Sequence, residues 1–540
     1  NRSTGASVTL TLPVDEMEVQ MISTAAELAA IDDDLESLND YYILTADIDL
    51  AGIEWEPIGI DDNGDGETDS PFFGVFDGNN HTISNLTYDS SPTSQYHEKV
   101  GLFQQLGEYG SSGGVIRNVT LANVSMVGHY GDVSSDQVGA LVAVNYGLVE
   151  KCAVTGTVTA TRGLGIASGY TGGLVALNYG TIDECEGGVT VTATNGYCHY
   201  VGGLVGINSG FYPSGPFGVI SRSSTSGDVT GYRDVGGLVG LAQYGEITEC
   251  HASGTVSAYD ENVGGLIGST GTTSDHENIE VFDCHATGTV AVIGTGTGAN
   301  RNVGGLIGQA DAYTSVAECS AAGDVFGPLN TGGLIGSAAG SVTDSYALGN
   351  LTQGETDPLF KTAIGGLIGF VDVPATISRC YATGNVEFEN AMYLGGFAGG
   401  NAGTIEDSYA RGNAVLSDGT VFSESNGGFV GAINNTGAVR RCYATGAVTG
   451  ITEVGGLVGA NDSGTIEDSF YDSTTSGRDD TGKGEPKTTA EMTNIATFTD
   501  TTTEGLGNAW DFVGDPNNDS GNQDYWDISG GVNDGYPYLR

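Results

Sequence analysis

Val201-Gly202-Gly203-Leu204-Val205-Gly206 returns as Val235-Gly236-Gly237-Leu238-Val239-Gly240 and again as Val263-Gly264-Gly265-Leu266-Ile267-Gly268. The phrase recurs with leading glycines at Gly139, Gly172, Gly304, Gly332, Gly365, Gly395, Gly427 and Gly455. A degenerate copy, Val100-Gly101-Leu102-Phe103, precedes them. Successive copies from Gly139 on lie 28 to 40 residues apart. A phrase that keeps such a period over most of a chain marks a repeat architecture. A second phrase runs between the copies, clearest as Gly403-Thr404-Ile405-Glu406-Asp407-Ser408-Tyr409-Ala410 and Gly464-Thr465-Ile466-Glu467-Asp468-Ser469-Phe470-Tyr471. A Thr-Gly-x-Val turn often follows, as at Thr383-Gly384-Asn385-Val386.

Each repeat reads as two or three short strands punctuated by glycine turns. No repeat carries the apolar period of a helix, so a helical solenoid is excluded. One unit cannot bury its Leu, Val and Ile alone, whereas stacked copies bury them in one continuous interior. The paired glycines are expected at sharp corners, where φ is free to turn positive and backbones approach closely. The fold class is therefore all-β: a β-solenoid, β-helix-like, of about 11–12 stacked rungs with N- and C-terminal flanking modules. At the ~4.8 Å strand spacing the rungs give a rod of about 55 Å. The winding hand stays open.

Composition narrows the function. The 540 residues include 89 glycines with no Gly-X-Y period, which excludes collagen. Only 12 prolines and a hydrophobic share of 39% exclude a disordered low-complexity chain. Acidic residues outnumber basic ones 68 to 17, for a net charge of -51. Phosphate contacts need Lys and Arg, so nucleic acid is excluded as a partner. Such a surface either keeps the chain soluble or gathers divalent cations. No apolar run reaches the ~20 residues of a transmembrane helix. The chain begins at Asn1 and not at Met, which predicts a removed leader or a fragment. Sequons at Asn1, Asn80, Asn85, Asn118, Asn123, Asn350, Asn434, Asn461 and Asn518 favour export, with glycosylation where the host has the machinery.

The core Gly-Leu-hydrophobic-Gly, as in Gly203-Leu204-Val205-Gly206, Gly237-Leu238-Val239-Gly240, Gly265-Leu266-Ile267-Gly268 and Gly456-Leu457-Val458-Gly459, resembles the GLUG repeat family. Early copies depart from it, with Ala143 and Ala176 in the last glycine position. The resemblance implies a secreted or surface-attached bacterial or archaeal protein with no catalytic role for the repeat. One group in the family carries a zinc peptidase, whose His-Glu-x-x-His helix this chain lacks. Residues 1–98 form an N-terminal module, of which residues 21–90 are similar to the one that precedes such repeats, through Asp47-Ile48-Asp49-Leu50, Trp55, Pro57-Ile58-Gly59 and Phe76-Asp77-Gly78. Residues 99–472 hold the repeats. Residues 473–540, with Thr488-Thr489-Ala490-Glu491-Met492 and Gly535-Tyr536-Pro537-Tyr538-Leu539, resemble the usual C-terminal module. In style the chain is also similar to large surface and cell-sheath proteins of methanogenic archaea.

Seven cysteines fall in one column of the second phrase: Cys152, Cys185, Cys250, Cys284, Cys319, Cys380 and Cys442. Ser223, Ser345, Ser408 and Ser469 fill the same slot in other copies, and Cys198 lies off the pattern. The serine exchange points to a slot for a small residue. The alternative is stapling, because neighbouring rungs bring Cα atoms within disulfide range. Cys152 with Cys185, and Cys284 with Cys250 or Cys319, are the candidate pairs, and unpaired members could bridge subunits. Adjacent Cys-His residues at 198, 250 and 284 point to opposite faces of a strand and make poor zinc sites. Asp61, Asn63, Asp65 and Asp69 place oxygens as the start of a calcium loop does, although Phe72 stands where a bidentate Glu belongs. Asp515, Asn517 and Asp519 form a weaker version. Gly477 to Lys483 mimics a phosphate loop, but Gly484 replaces its Ser/Thr. The carboxylate pairs Glu406-Asp407 and Glu467-Asp468 recur with the repeat, so they read as scaffold and not as a glycosidase pair.

The reading is an extracellular, non-enzymatic structural protein, a subunit of a surface layer, sheath or amyloid-like filament. It expects a homo-polymer joined through solenoid edges and disulfides, with cell-envelope components or glycans as further partners and calcium as the one candidate cofactor. Val8-Thr9-Leu10-Thr11-Leu12 alternates cleanly and could pair with a neighbour. An adhesin or glycan-binding module is the alternative and predicts an exposed tyrosine strip. A polysaccharide-cleaving enzyme is the least favoured and predicts a cleft with one non-repeating acidic cluster.

Overall fold

A computed structural model describes residues 19–59, 68, 70–89, 99–110, 113–130, 137–162, 169–194, 198–210, 217–271, 278–294, 302–353, 362–389, 391–417, 425–434, 436–514 and 524–540. The chain winds as a β-solenoid. In one turn it passes through Val201-Gly202, bends at Gly203-Leu204, continues through Val205–Asn208, then Val219–Ser221, then Ser224–Thr225 and Val229–Gly231. Stacked turns build four parallel sheets. Two have twelve strands each, running from Lys99–Val100 to Glu453–Gly455 and from Phe103–Leu106 to Val458–Asn461. A third has 15 strands, from Val19–Ile22 to Thr465–Glu467, and the fourth has 24. Twelve rungs thus carry the glycine phrase, and the three extra strands of the 15-stranded sheet belong to residues 19–77. Those residues are continuous with the stack, through Tyr41–Leu44 and Val75–Asp77.

Register is strict. Gly202 pairs with Gly236, Gly236 with Gly264, Gly264 with Gly304, and so on to Gly427 with Gly455. Repeats of unequal length keep this register because their extra residues fall between strands. Leu204, Leu238, Leu266, Leu306, Leu334 and Leu367 point inward with no exposed surface. Buried polar groups form ladders of their own. Asn145 donates to Asn178, and Asn178 to Asn208, each at 2.7 Å. Each amide satisfies the next, which removes the cost of burying an unpaired polar group.

The paired glycines do sit at a bend, as expected, but without positive φ. Their role is close approach. A Cβ on Gly237 would stand 2.1 Å from the Gly265 carbonyl of the next rung. The left-handed corner lies elsewhere, just before the Cys/Ser slot. Asn118, Lys151, Glu184, Arg222, Glu249, Asp283, Glu318, Asp344, Arg379, Asp407, Arg441 and Asp468 take φ between 45° and 55°. Each such residue costs about 1–2 kcal/mol unless its surroundings support it.

Both ends are closed over much of their area. At the N-terminal end Thr24 caps a short helix, Ala25–Ala29, that buries Leu28, followed by buried Ile31 and Leu38. At the other end Tyr471 lies over Gly456, the Asp480 carboxylate accepts from the Gly456 N–H at 3.1 Å, and Lys483 bonds the Gly459 carbonyl. Among the described residues both ends of the stack are therefore partly capped. These caps occupy part of the hydrogen-bonding groups that a second copy would need. Thr465–Glu467 is the last strand of its sheet and keeps an exposed edge. Val8 to Leu12 lies outside the described residues.

Candidate binding groove

The Cys/Ser column supports the left-handed corner. Ser223, Ser345, Ser408 and Ser469 each donate from Oγ to the carbonyl two residues back, at 2.7–2.8 Å. The cysteine thiols reach the same carbonyls at 3.1–3.3 Å. The serines also accept an N–H from the preceding rung, as Ser408 does from Cys380 at 3.1 Å. The slot thus requires a small side chain with a donor, which explains why Ser replaces Cys.

All eight cysteines are buried and free. The stack sets Cys152 against Cys185, and Cys284 against both Cys250 and Cys319. It does not present any of them to a second chain, since each is 0–1% exposed. The expectation of intersubunit bridges is corrected on that ground. Burial pushes the Cys380 thiol up to about 12, and a thiol held neutral is a poor nucleophile.

Arginines interleave with the acids at the corners. Arg379 bonds Asp344 at 2.7 Å, Arg440 bonds Glu467 at 2.9 Å, and Arg441 bonds Asp407 at 2.6 Å and Glu406 at 3.2 Å. These carboxylates belong to the scaffold, as the repeat suggests. Among the described residues no cluster of His, Cys, Asp and Glu is placed to hold a metal ion. The calcium candidate Asp61, Asn63, Asp65 and Asp69 lies outside the described residues, as do Asp515, Asn517 and Asp519, and the sequons Asn1 and Asn518. Of the other sequons, Asn80, Asn123 and Asn350 are exposed and Asn85, Asn118, Asn434 and Asn461 half-buried. Asn118 donates to Asp77 at 3.1 Å and Asn123 to Asn85 at 2.6 Å.

One residue beyond the Cys/Ser slot, a column points outward on the 24-stranded sheet: Ala153, Glu186, Ser224, His251, His285, Ser320, Tyr346, Tyr381, Tyr409, Tyr443 and Phe470. Its two halves differ. Tyr346, Tyr381, Tyr409 and Tyr443 stack with centroids 4.8–5.1 Å apart. Residues 473–540 cover the far end of that ladder. Trp510, Trp526 and Tyr536 pack on Tyr409, Tyr443 and Phe470, and Arg411 bonds Asp534 at 2.7 Å. The tyrosine strip is therefore largely a docking seat for the chain's own C-terminal segment. It was legible as the residue after each Cys or Ser from Ser345 to Cys442.

The other half holds a groove of about 370 Å³. Ala153, Thr155, Glu186, Gly188, Ser224, Ser226, His251 and Ser253 line it, over backbone at Val154, Gly187 and Thr225. It forms where the sheet changes. Ala153–Arg162 and Glu186–Ala193 are single long strands, whereas the next rung breaks into Ser224–Thr225 and Val229–Gly231. Gly188 opens the surface: an added Cβ would meet the Thr155 methyl at 3.3 Å and Ser226 Oγ at 3.9 Å. Burial, and then the charge of His285, hold the His251 pKa below its ordinary value. Its imidazole is neutral at pH 7 and offers one donor and one acceptor. The sequence signal for this groove was the break in pattern at Glu186-Gly187-Gly188.

With this geometry in place, the comparisons with known proteins bear on the repeat itself. The GLUG motif matches residues 197–230, 231–257, 299–325 and 390–415. The chain carries GLUG repeats. The GLUG phrase is the inner corner of each rung, and its glycines are the close-approach positions described above. Halomucin of Haloquadratum walsbyi is 32% identical over 598 aligned positions, 88% of this chain and 6% of halomucin. A protein of Evansella cellulosilytica named as a Gly-rich membrane protein is 39% identical over 118 positions, 20% of this chain and 12% of that one. The chain thus spans a small fraction of these relatives. A Bacteroides ovatus structure named as an immunoglobulin A1 protease covers 97% of this chain and 92% of that one at 14% identity. Its TM-score of 0.23 carries no argument.

Proposed function

We propose that this GLUG-repeat chain is a non-catalytic, extracellular structural module of a cell-surface protein, a rigid rod within a surface layer or sheath. The observation that supports it most is the use of the repeated side chains. The Cys/Ser slot, the Arg–carboxylate pairs, the asparagine ladders and the tyrosine stack all join one rung to the next. Columns of this kind stiffen a solenoid along its axis. The likeness to halomucin supports a surface setting, and an acidic surface keeps such a rod from collapsing on its neighbours. Partly capped ends favour joining through the rod's faces, or through covalent continuation of the chain, over addition of copies edge to edge.

Electron microscopy and light scattering of the purified chain test this. Single rods of roughly 70 Å, from fifteen strands at ~4.8 Å, are expected with and without calcium and oxidant. Sheets or filaments would favour a self-assembling sheath subunit. A compact particle, or cleavage of polysaccharide substrates, would refute the reading.

A further inference from the structure

The lining of the groove between Glu186 and His251 departs from the repeat, although Thr155 Oγ1 accepts from the Asn123 N–H at 3.3 Å and Ser253 Oγ donates to the Thr225 carbonyl at 3.2 Å. On the same column other rungs carry alanine, serine, a second histidine (His285), tyrosine or phenylalanine, and Glu186 is its one carboxylate. Here a carboxylate, an imidazole and the hydroxyls of Thr155, Ser224, Ser226 and Ser253 converge on a floor opened by Gly188. Glu186, Ser224, Ser226 and Ser253 are exposed, and His251 is half-buried. No aromatic ring and no large exposed apolar side chain lines the groove.

We propose that this groove is a saccharide-binding subsite that takes an uncharged glycan chain lying along the rod axis. The chemistry follows from the lining. A carboxylate accepts from neighbouring sugar hydroxyls, while serine and threonine hydroxyls and a neutral imidazole both give and take hydrogen bonds. A polyhydroxylated ring matches that set. Other ligand classes match it poorly. A polyanion meets Glu186 and a net charge of -51. An apolar peptide finds no pocket for an anchoring side chain. A hard cation finds one carboxylate where it needs several oxygens. Direction comes from the stack, because a chain along the axis meets equivalent positions on successive rungs. Thr155, Gly188, Ser226, Ser253 and Thr287 take that position on successive rungs, and all but Gly188 carry a hydroxyl. The inference is independent of the rod reading, since a rod with or without a ligand keeps its length and mass.

The test is calorimetric titration of the full chain with neutral hexasaccharides of glucose, mannose, xylose and N-acetylglucosamine, with dextran sulfate as the anionic comparison. At least one neutral hexasaccharide should bind in the millimolar range or tighter. Affinity should fall about tenfold or more in Glu186→Gln and in Gly188→Thr, which fills the floor. Ser226→Ala, a surface change, replaces Gly188→Thr should that variant lose its native circular dichroism. No binding of any neutral hexasaccharide at millimolar concentration would overturn the proposal. So would binding that survives both variants, or binding of dextran sulfate alone.

Discussion

Gly237→Ala tests the close-approach account of the GLUG glycines directly. The new Cβ would stand 2.1 Å from the Gly265 carbonyl and 3.0 Å from the Ala252 Cβ. Relief of the first contact needs the next rung to retreat by roughly 1 Å, since Cβ-to-oxygen contacts below about 3 Å cost far more than packing returns. That retreat would pull on three backbone bonds: Gly237 N–H to Gly264 at 3.3 Å, and Leu238 and Val239 N–H to Leu266, both at 2.9 Å. At about 1 kcal/mol net each, the loss is about 3 kcal/mol. In a stack that contacts only its neighbours, the damage should stay at one interface and split the rod into two cooperative blocks. Urea unfolding followed by circular dichroism should show an earlier, broader transition. Hydrogen exchange should localise the opening to the Gly237 and Gly265 rungs. Gly271→Ala is the matched control, because nothing lies within 4 Å of its added Cβ. A Gly237→Ala midpoint equal to that of Gly271→Ala would refute the account.

Ser408→Ala should destabilise the rod by about 1–3 kcal/mol in urea melts, because it leaves the buried Cys380 N–H unpaired and takes from the Glu406 carbonyl one of its two donors, the other being the Arg379 N–H. Ser408→Cys should cost less than half of that. Burial raises the Asp234 carboxyl above its ordinary value, against hydrogen bonds from Ser269 and Asn262. A raised folded pKa gives stability that is present at low pH and lost as pH rises. Asp234→Asn should therefore raise the melting temperature at pH 7, with the gain fading towards pH 3.5; a constant gain would contradict the sign. A thiol reagent at pH 8 should leave all eight cysteines of the native chain unlabelled and label all eight in denaturant. Expressed in a glycosylating host, the chain should carry glycan at exposed Asn80 in preference to Asn118, whose amide donates to Asp77, as glycopeptide mass spectrometry would show.

Much of the fold was legible because its period is local. Leu204, Leu238 and Leu266 announce an inward face, and the serine exchanges at residues 223, 345, 408 and 469 announce a small slot. The site was legible only in part. Glu186-Gly187-Gly188 breaks the pattern, but nothing in one dimension places Thr155 and His251 beside it, at sequence separations of 31 and 65 from Glu186. The acids beside the Cys/Ser slot read only as scaffold. Their left-handed backbone, and the arginines that pair with them across rungs, appear only when the turns are stacked.

The sequence by itself determined the GLUG repeat, its period and the interior it buries, because a strand's apolar pattern is written residue by residue. Only the tertiary structure decided what the paired glycines are for. Their φ is ordinary, and it is the neighbouring rung's carbonyl that leaves no room for a Cβ. The structure likewise partly capped the ends and covered the tyrosine ladder. Covering the ladder depends on the C-terminal segment folding back onto rungs far from it in sequence, and no local pattern encodes that contact.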